Sequence, residues 1–219
     1  MPKVVRLIEC FQSYQGEGPD TGKSMLIVRF KRCNRQCPWC DTTVKMRISV
    51  ESEYEIQTIQ SVIDDKKCGL LITGGEPTFN LNLAGTLDLI NCTNSKYYNV
   101  ETNGYALMKL IKDVDQKKNV KYILSPKLFT DKDLEFYTDL TKKIYTNEKV
   151  YFKIVTEDRK LIHDYLKFLT SFNINDRVYL MPEGKSKDEL IQNSPRVFDM
   201  CEKYKFNFSS REHIIYGFV

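Results

Sequence analysis

Histidine is scarce in this sequence: only His163 and His213 occur among 219 residues. That scarcity weighs against a closed structural zinc site built on imidazole, since such sites take four nitrogen or sulfur ligands. Long apolar stretches are missing too. The longest wholly apolar runs are of the kind Gly69–Leu70–Leu71–Ile72, far short of the roughly 20 residues that span a bilayer. The segment from Met1 to Glu9 is too polar for a secretory signal. Together these features predict a soluble cytoplasmic protein without a membrane partner. No block of five or six basic residues stands out, because 33 basic and 29 acidic residues are spread along the chain and leave a charge of only +4. The usual footprint of a nucleic-acid binder is therefore absent. Internal repeats, low-complexity tracts and Pro/Gly/Ser-rich linkers are absent as well, so a single domain over residues 1–219 is expected.

What is present is ordinary globular composition, with 42% hydrophobic and 28% charged residues. A chain of this length buries a substantial core without disulfides. Its seven cysteines cannot all pair internally. In a reducing compartment they are expected as free or metal-bound thiols. Cys10, Cys68, Cys92 and Cys201 are scattered, and Cys68 and Cys92 flank apolar segments as small buried hydrophobes would. Cys33, Cys37 and Cys40 instead crowd into eight residues.

Hydrophobic periodicity predicts strands at Met25–Phe30, Leu70–Thr73, Tyr98–Glu101, Lys121–Leu124, Val150–Val155 and Arg177–Met181. Helical spacing predicts Glu53–Asp65, with Ile56, Ile59 and Ile63 on one face. Further helices are predicted at Leu83–Ile90, Ala106–Val114, Asp133–Tyr145, Lys160–Leu169 and Lys187–Tyr204. Pro195 is expected to split or kink the last of these. Alternating strands and helices imply an α/β fold with a parallel sheet. Six such units fall short of the eight in a closed barrel, and a partial (β/α)6 barrel is the expected architecture.

Chemistry in such folds gathers at the carboxyl ends of the strands. The unusual residues fall there: Cys33–Cys40 after the first predicted strand, Gly74–Gly75–Glu76–Pro77 after the second, Glu101–Thr102–Asn103–Gly104 after the third, and Ser125–Pro126–Lys127 after the fourth. Thiolates spaced four and three residues apart can converge on one metal centre. Zinc completed by a distant cysteine is one reading. A four-iron cluster with one iron open to a small molecule is the better fit.

The run Cys33-x3-Cys37-x2-Cys40, with Trp39 before the last cysteine, resembles the cluster motif of the radical S-adenosylmethionine (SAM) superfamily. The resemblance implies a 4Fe-4S cluster held by the three cysteines, with SAM chelating its fourth iron. Electron transfer would then cleave SAM to methionine and a 5′-deoxyadenosyl radical. Thr73–Pro77, TGGEP, resembles the superfamily's SAM motif. Gly74 and Gly75 would let backbone approach the methionine moiety, with Glu76 near its amino group. Their plain reading is a strand-to-helix turn. Glu101, placed after a central strand, is expected at the ribose hydroxyls, with Asn103, Ser125 and Lys127 as further cofactor contacts.

A second set of motifs narrows the resemblance. Phe11–Gly18 (FQSYQGEG), Arg29, Asp41–Thr42 and the final Arg211–Val219 (REHIIYGFV) together are similar to the 7-carboxy-7-deazaguanine synthase family. This implies ring contraction of 6-carboxy-5,6,7,8-tetrahydropterin to 7-carboxy-7-deazaguanine with loss of ammonia, a carbon–nitrogen lyase reaction on the way to queuosine-type deazapurines. SAM would be regenerated at each turnover, and Mg²⁺ would assist. Gln15, Gly16 and Glu17 would grip the pterin's polar edge; a polar turn is the rival reading. Arg29 offers a planar fork for the substrate carboxylate, against an ordinary ion pair at a strand end. Thr42 suits Mg²⁺, which takes few protein ligands, against helix capping. His213 and the carboxylate of Val219 are expected at the substrate. A reductant such as flavodoxin and a homodimer complete the expectation. The competing functions are an activating enzyme for a glycyl-radical partner protein and a non-enzymatic metal or iron–sulfur protein.

Overall fold

An almost unbroken apolar run such as SMLIVRF is what a strand covered on both faces requires, and the computed structural model places a strand at Ser24–Phe30. The structure describes residues 2–38, 40, 42–156 and 159–218, with backbone alone at 43–45. The chain divides into two compact units, one formed by residues 1–15 and 22–122, the other by 16–21 and 123–219.

The first unit runs β1 (Val4–Leu7), β2 (Glu9–Tyr14), β3 (Ser24–Phe30), α1 (Thr43–Ile48), β4 (Ser52–Glu55), α2 (Ile56–Lys66), β5 (Gly69–Gly74), α3 (Leu81–Cys92), β6 (Tyr98–Thr102) and α4 (Leu107–Asp113). The chain passes to the second unit within β7 (Val120–Leu124). Strands β3, β5 and β6 are parallel neighbours, with Arg29 opposite Thr73 and Ile72 opposite Val100. β2 flanks β3 antiparallel, with Glu9 opposite Arg29. The three parallel strands are joined through α2 and α3, which lie between them in sequence. One set of strand residues, Leu26, Val28, Phe30, Leu70, Ile72, Tyr98 and Val100, is buried almost completely. On the alternate side, Met25, Ile27 and Leu71 pack against Phe11 and Tyr97.

The helical spacing of Ile56, Ile59 and Ile63 holds, and all three are buried. The helix begins later than Glu53, however, because Ser52–Glu55 pairs antiparallel with β1. Such short strands carry too few residues for the alternation to register. Cys68 is buried as expected, whereas Cys92 is exposed and accepts from Lys3 Nζ at 3.3 Å.

The second unit contains a 3₁₀ turn at Gly18–Asp20, then α5 (Asp131–Ile144), β8 (Val150–Thr156), α6 (Lys160–Leu169), a 3₁₀ turn at Asn175–Arg177, β9 (Val178–Pro182), α7 (Lys187–Tyr204), β10 (Asn207–Phe208) and α8 (Glu212–Tyr216). β9 pairs in parallel with both β8 and β10. Helices α5 and α7 start on reciprocal capping boxes, Thr130 with Asp133 and Ser186 with Glu189. Helix α6 buries Ile162, Tyr165, Leu166 and Leu169, and Tyr165 Oη meets Thr141 Oγ1 of α5 at 2.8 Å. Pro195 does not break α7. Ile191, one turn earlier, is exposed, so the carbonyl that Pro195 leaves unbonded can take water. Among the described residues no helix is long and apolar enough to cross a membrane.

Candidate active site

The loop after β3 carries the cysteine motif. Cys33, Cys37 and Cys40 are partly buried and outside any disulfide. The backbone N–H of Arg35 donates to Cys33 Sγ at 3.4 Å, and Cys40 N–H donates to the Cys37 carbonyl at 3.2 Å. Burial pushes the Cys33 thiol up; the Arg35 N–H opposes this, while the charges of Glu76, Cys37 and Cys40 add to it. Ionising Cys33 beside Cys37, Cys40 and Glu76 is thus disfavoured, and a bound cation would relieve that penalty. No three His, Cys, Asp or Glu side chains among the described residues form a preassembled metal cage. The fit to a 4Fe-4S cluster rests on the donor set, three partly exposed thiols on one turn of chain. Trp39 and Asp41 lie outside the described residues. Thr42 is buried, and its carbonyl accepts from Met46 N–H at 2.8 Å, which puts it at the start of α1.

The turn after β5 is clamped onto this loop. Gly75 N–H donates to the Phe30 carbonyl at 2.8 Å and Glu76 N–H to the Arg32 carbonyl at 2.7 Å. Gly74 has φ of +116°, and a Cβ there would collide with the Phe30 backbone; a Cβ on Gly75 would collide with the Arg32 carbonyl. Both glycines are therefore demanded by the approach of β5 to the cysteine loop. Asn82 Nδ2 ties the two segments again, donating at 2.9 Å to the carbonyls of Arg32 and Glu76.

Glu76 is buried and fastens a third segment. Its Oε1 accepts from Thr78 N–H at 2.9 Å and from the hydroxyls of Thr78 and Thr102, while Oε2 accepts from Asn103 N–H at 2.6 Å. Burial pushes its carboxyl above the usual range, against the four donors. Asn103 Nδ2 in turn donates to Asn34 Oδ1 at 2.8 Å, inside the cysteine motif. The loops after β3, β5 and β6 are in this way one hydrogen-bonded assembly.

Higher on the same strands, one register row holds Glu9, Arg29 and Thr73. Arg29 Nε is ion-paired with Glu9 Oε2 at 2.6 Å. Glu101 accepts from Thr73 Oγ1 at 3.4 Å and from Gln15 Nε2 at 3.3 Å. Gln15, Thr73 and Glu101, three residues that the sequence singles out separately, thus meet.

The second unit brings together Gly16, Glu17 and His213. Glu17 is buried, ion-paired with Lys153 Nζ and with Arg211 Nε at 2.9 Å, and has His213 Nε2 at 3.8 Å. Burial works against its ionisation, yet the charges of Lys153, Arg211 and His213 and the Lys153 hydrogen bond hold the carboxyl well below the usual range. Gly16 has no room for a side chain because the His213 ring and backbone stand there, and its carbonyl accepts from Glu212 N–H at 3.0 Å. Ser125 and Lys127 pair with each other, Nζ to Oγ at 2.9 Å. Val219 lies outside the described residues.

Sequence reasoning gave no individual role to Lys153, Arg211, Thr78, Thr102 or Asn34. A lysine inside the otherwise apolar run of β8 was the available signal for the first. The threonines look like any turn residues until the buried Glu76 is seen between them.

A model of the 4Fe-4S single cluster domain matches residues 14–132. A 7-carboxy-7-deazaguanine synthase from Hyperthermus butylicus is 27% identical over 219 residues, covering 97% of this chain and 92% of its own length. The crystal structure of QueE from Escherichia coli is similar with a TM-score of 0.60 and 20% identity, over 96% of this chain and 95% of that one. Streptococcus suis SuiB, solved bound to S-adenosylmethionine, is similar with a TM-score of 0.59 and 16% identity, over 85% of this chain and 49% of that one. The three-cysteine loop lies inside the matched segment. The chain therefore belongs to the 4Fe-4S single cluster domain family and has the partial-barrel α/β fold of the radical SAM enzymes.

Proposed function

We infer that this chain is a 7-carboxy-7-deazaguanine synthase, contracting 6-carboxy-5,6,7,8-tetrahydropterin to 7-carboxy-7-deazaguanine with loss of ammonia, a step toward queuosine-type deazapurines. The observation that carries the reading is likeness to a relative of that name along 97% of the chain. Cys33, Cys37 and Cys40 would hold the cluster. When bound, the cluster and SAM supply the radical chemistry that removes a hydrogen from the substrate.

The chain's own residues do the rest. Glu76, through Thr78, Thr102 and Asn103, fixes the loops after β5 and β6 against the cysteine loop, and so sets where a cofactor meets the cluster. Glu101, which Gln15 and Thr73 steady, would meet a ribose. Glu17, ionised and fixed, is suited to accept from the N–H groups of a pterin, with His213 beside it. The carboxylate of Val219 belongs to the same expected pocket. Ser125 and Lys127 remain assigned to the cofactor, as does Trp39. Arg29 would meet the substrate carboxylate by exchanging or sharing Glu9. Mg²⁺ at Thr42, a reductant such as flavodoxin, a homodimer and a cytoplasmic location complete the proposal.

The test is anaerobic reconstitution with iron and sulfide, then SAM, Mg²⁺, reductant and 6-carboxytetrahydropterin, with product followed by mass. The expected result is 7-carboxy-7-deazaguanine, absent with Cys37→Ala. Cleavage of SAM to 5′-deoxyadenosine with no pterin product would defeat the substrate assignment.

A further inference from the structure

A lysine deep in a strand needs a reason. Lys153 occupies the middle of β8 and is 3% exposed, a place where lysine is rarely found unless paired. Its ammonium meets the Glu17 carboxylate, which also accepts from Arg211 Nε at 2.9 Å. Arg211 is fixed at its other end, with Nη1 donating to the Gly184 carbonyl at 2.7 Å. The turn bearing Glu17 is fixed too: Gly18 N–H donates to Ser209 Oγ at 2.8 Å, and the Gly16 carbonyl accepts from Glu212 N–H at 3.0 Å. Arg211 and the turn bearing Glu17 are thus themselves held.

Stability alone does not account for this. Replacing a buried ion pair with well-packed apolar residues is often neutral or stabilising. What two buried cations secure, and apolar packing cannot, is a carboxylate that stays charged and aimed in one direction. A carboxylate can accept from several donors at once. Adjacent N–H groups on a planar ring match it in the bidentate manner of a guanidinium. The 2-amino and N3–H groups of a 2-amino-4-oxopyrimidine ring form such an edge; a 2,4-dioxopyrimidine ring presents an acceptor in place of the amine.

We propose that Lys153 and Arg211 are specificity-determining positioning residues, which keep Glu17 ionised and oriented so that the chain takes 2-amino-4-oxopyrimidine ligands and rejects their 2,4-dioxo counterparts. The proposal rests on the pterin reading above. Among the described residues, Lys153 from β8, Arg211 from the segment before α8 and His213 from α8 face Glu17. Loss of Lys153 removes the nearest of them and leaves burial to push the carboxyl upward.

The experiment compares wild type, Lys153→Met, Lys153→Arg and Arg211→Lys, all reconstituted, with iron content and SAM binding as checks of folding. Binding of 6-carboxypterin and 6-carboxylumazine is measured by fluorescence, and turnover of 6-carboxytetrahydropterin against pH. Lys153→Met is expected to raise the pterin Kd and KM about tenfold or more, the loss of one charge-assisted contact. Its kcat should change less, and its preference for pterin over lumazine should shrink. Its kcat/KM should also acquire an acid limb that wild type lacks, and Lys153→Arg should restore much of both. Should Lys153→Met fail to fold, Arg211→Lys, which keeps a charge but loses the planar fork, is expected to weaken the pterin preference without adding an acid limb. Unchanged discrimination and a wild-type pH profile in a folded variant would overturn the proposal. Wild type that binds pterin selectively but does not turn it over would sink the reaction and leave the positioning role standing. Wild type that ignores pterin would end both.

Discussion

The Glu76 carboxylate accepts from four donors, three at Oε1 and one, Asn103 N–H, at Oε2. The two oxygens therefore make distinguishable predictions. Glu76→Gln can keep the Oε1 bonds while turning an NH₂ toward the Asn103 N–H, which strands one buried donor at a cost of about 1–3 kcal/mol. Glu76→Ala strands all four and should cost distinctly more. Chemical denaturation of the two variants decides it, and equal losses would mean that the network is not what Glu76 supports. Its placement as a conserving link among loops could not be read from TGGEP, because the partners Thr78, Thr102 and Asn103 are up to 27 residues away. Gly74 and Gly75 were legible as close-approach positions. What approaches them, the Phe30–Arg32 backbone, was not.

Among the elements, those with enough residues to show a period were legible. The six strands β3, β5, β6, β7, β8 and β9 and the helices α2 to α7 fall within a few residues of their expected places. Helix α7 begins on Ser186 and Glu189, whose side chains satisfy each other's backbone N–H groups. Ser186→Ala removes one of these bonds and should lower stability by about 1 kcal/mol, read from a shift of the denaturation midpoint. No change would place the start of α7 elsewhere. The elements that escaped are short: β1, β2, β4, β10, α1 and α8 have two to six residues each. For the strands among them, pairing partners rather than local pattern supply the regularity. Ser52–Glu55 is strand only because Val4–Leu7 lies beside it.

For the molecule as a whole, Glu17 couples folding to pH. Its folded carboxyl is held below the ordinary value of 4.5. A depressed carboxyl contributes stability that is present above the unfolded value and is lost as pH falls through the folded one. Glu17→Gln leaves Lys153 and Arg211 buried without their counter-charge, at a cost of roughly 3–5 kcal/mol near neutrality. The gap between wild type and Glu17→Gln should therefore be widest above about pH 5 and close on acidification. Thermal or denaturant melts from pH 7 down to pH 3 test this, and a gap independent of pH would exclude the linkage. Glu76 acts with the opposite sign: burial raises its carboxyl, so its contribution fades as pH rises through the folded value.

The sequence by itself determined the spacing of the three thiols, the strand–helix alternation and the loops in which the candidate site residues lie. Each of these is written in local spacing: thiols four and three positions apart, apolar side chains recurring every two or 3.6. Tertiary structure alone decided which charges meet. Arg29 faces Glu9 through strand register, and Glu17 meets Lys153 and Arg211 across 136 and 194 residues. A buried charge is tolerable only beside its partner, and no local pattern says how far along the chain that partner lies.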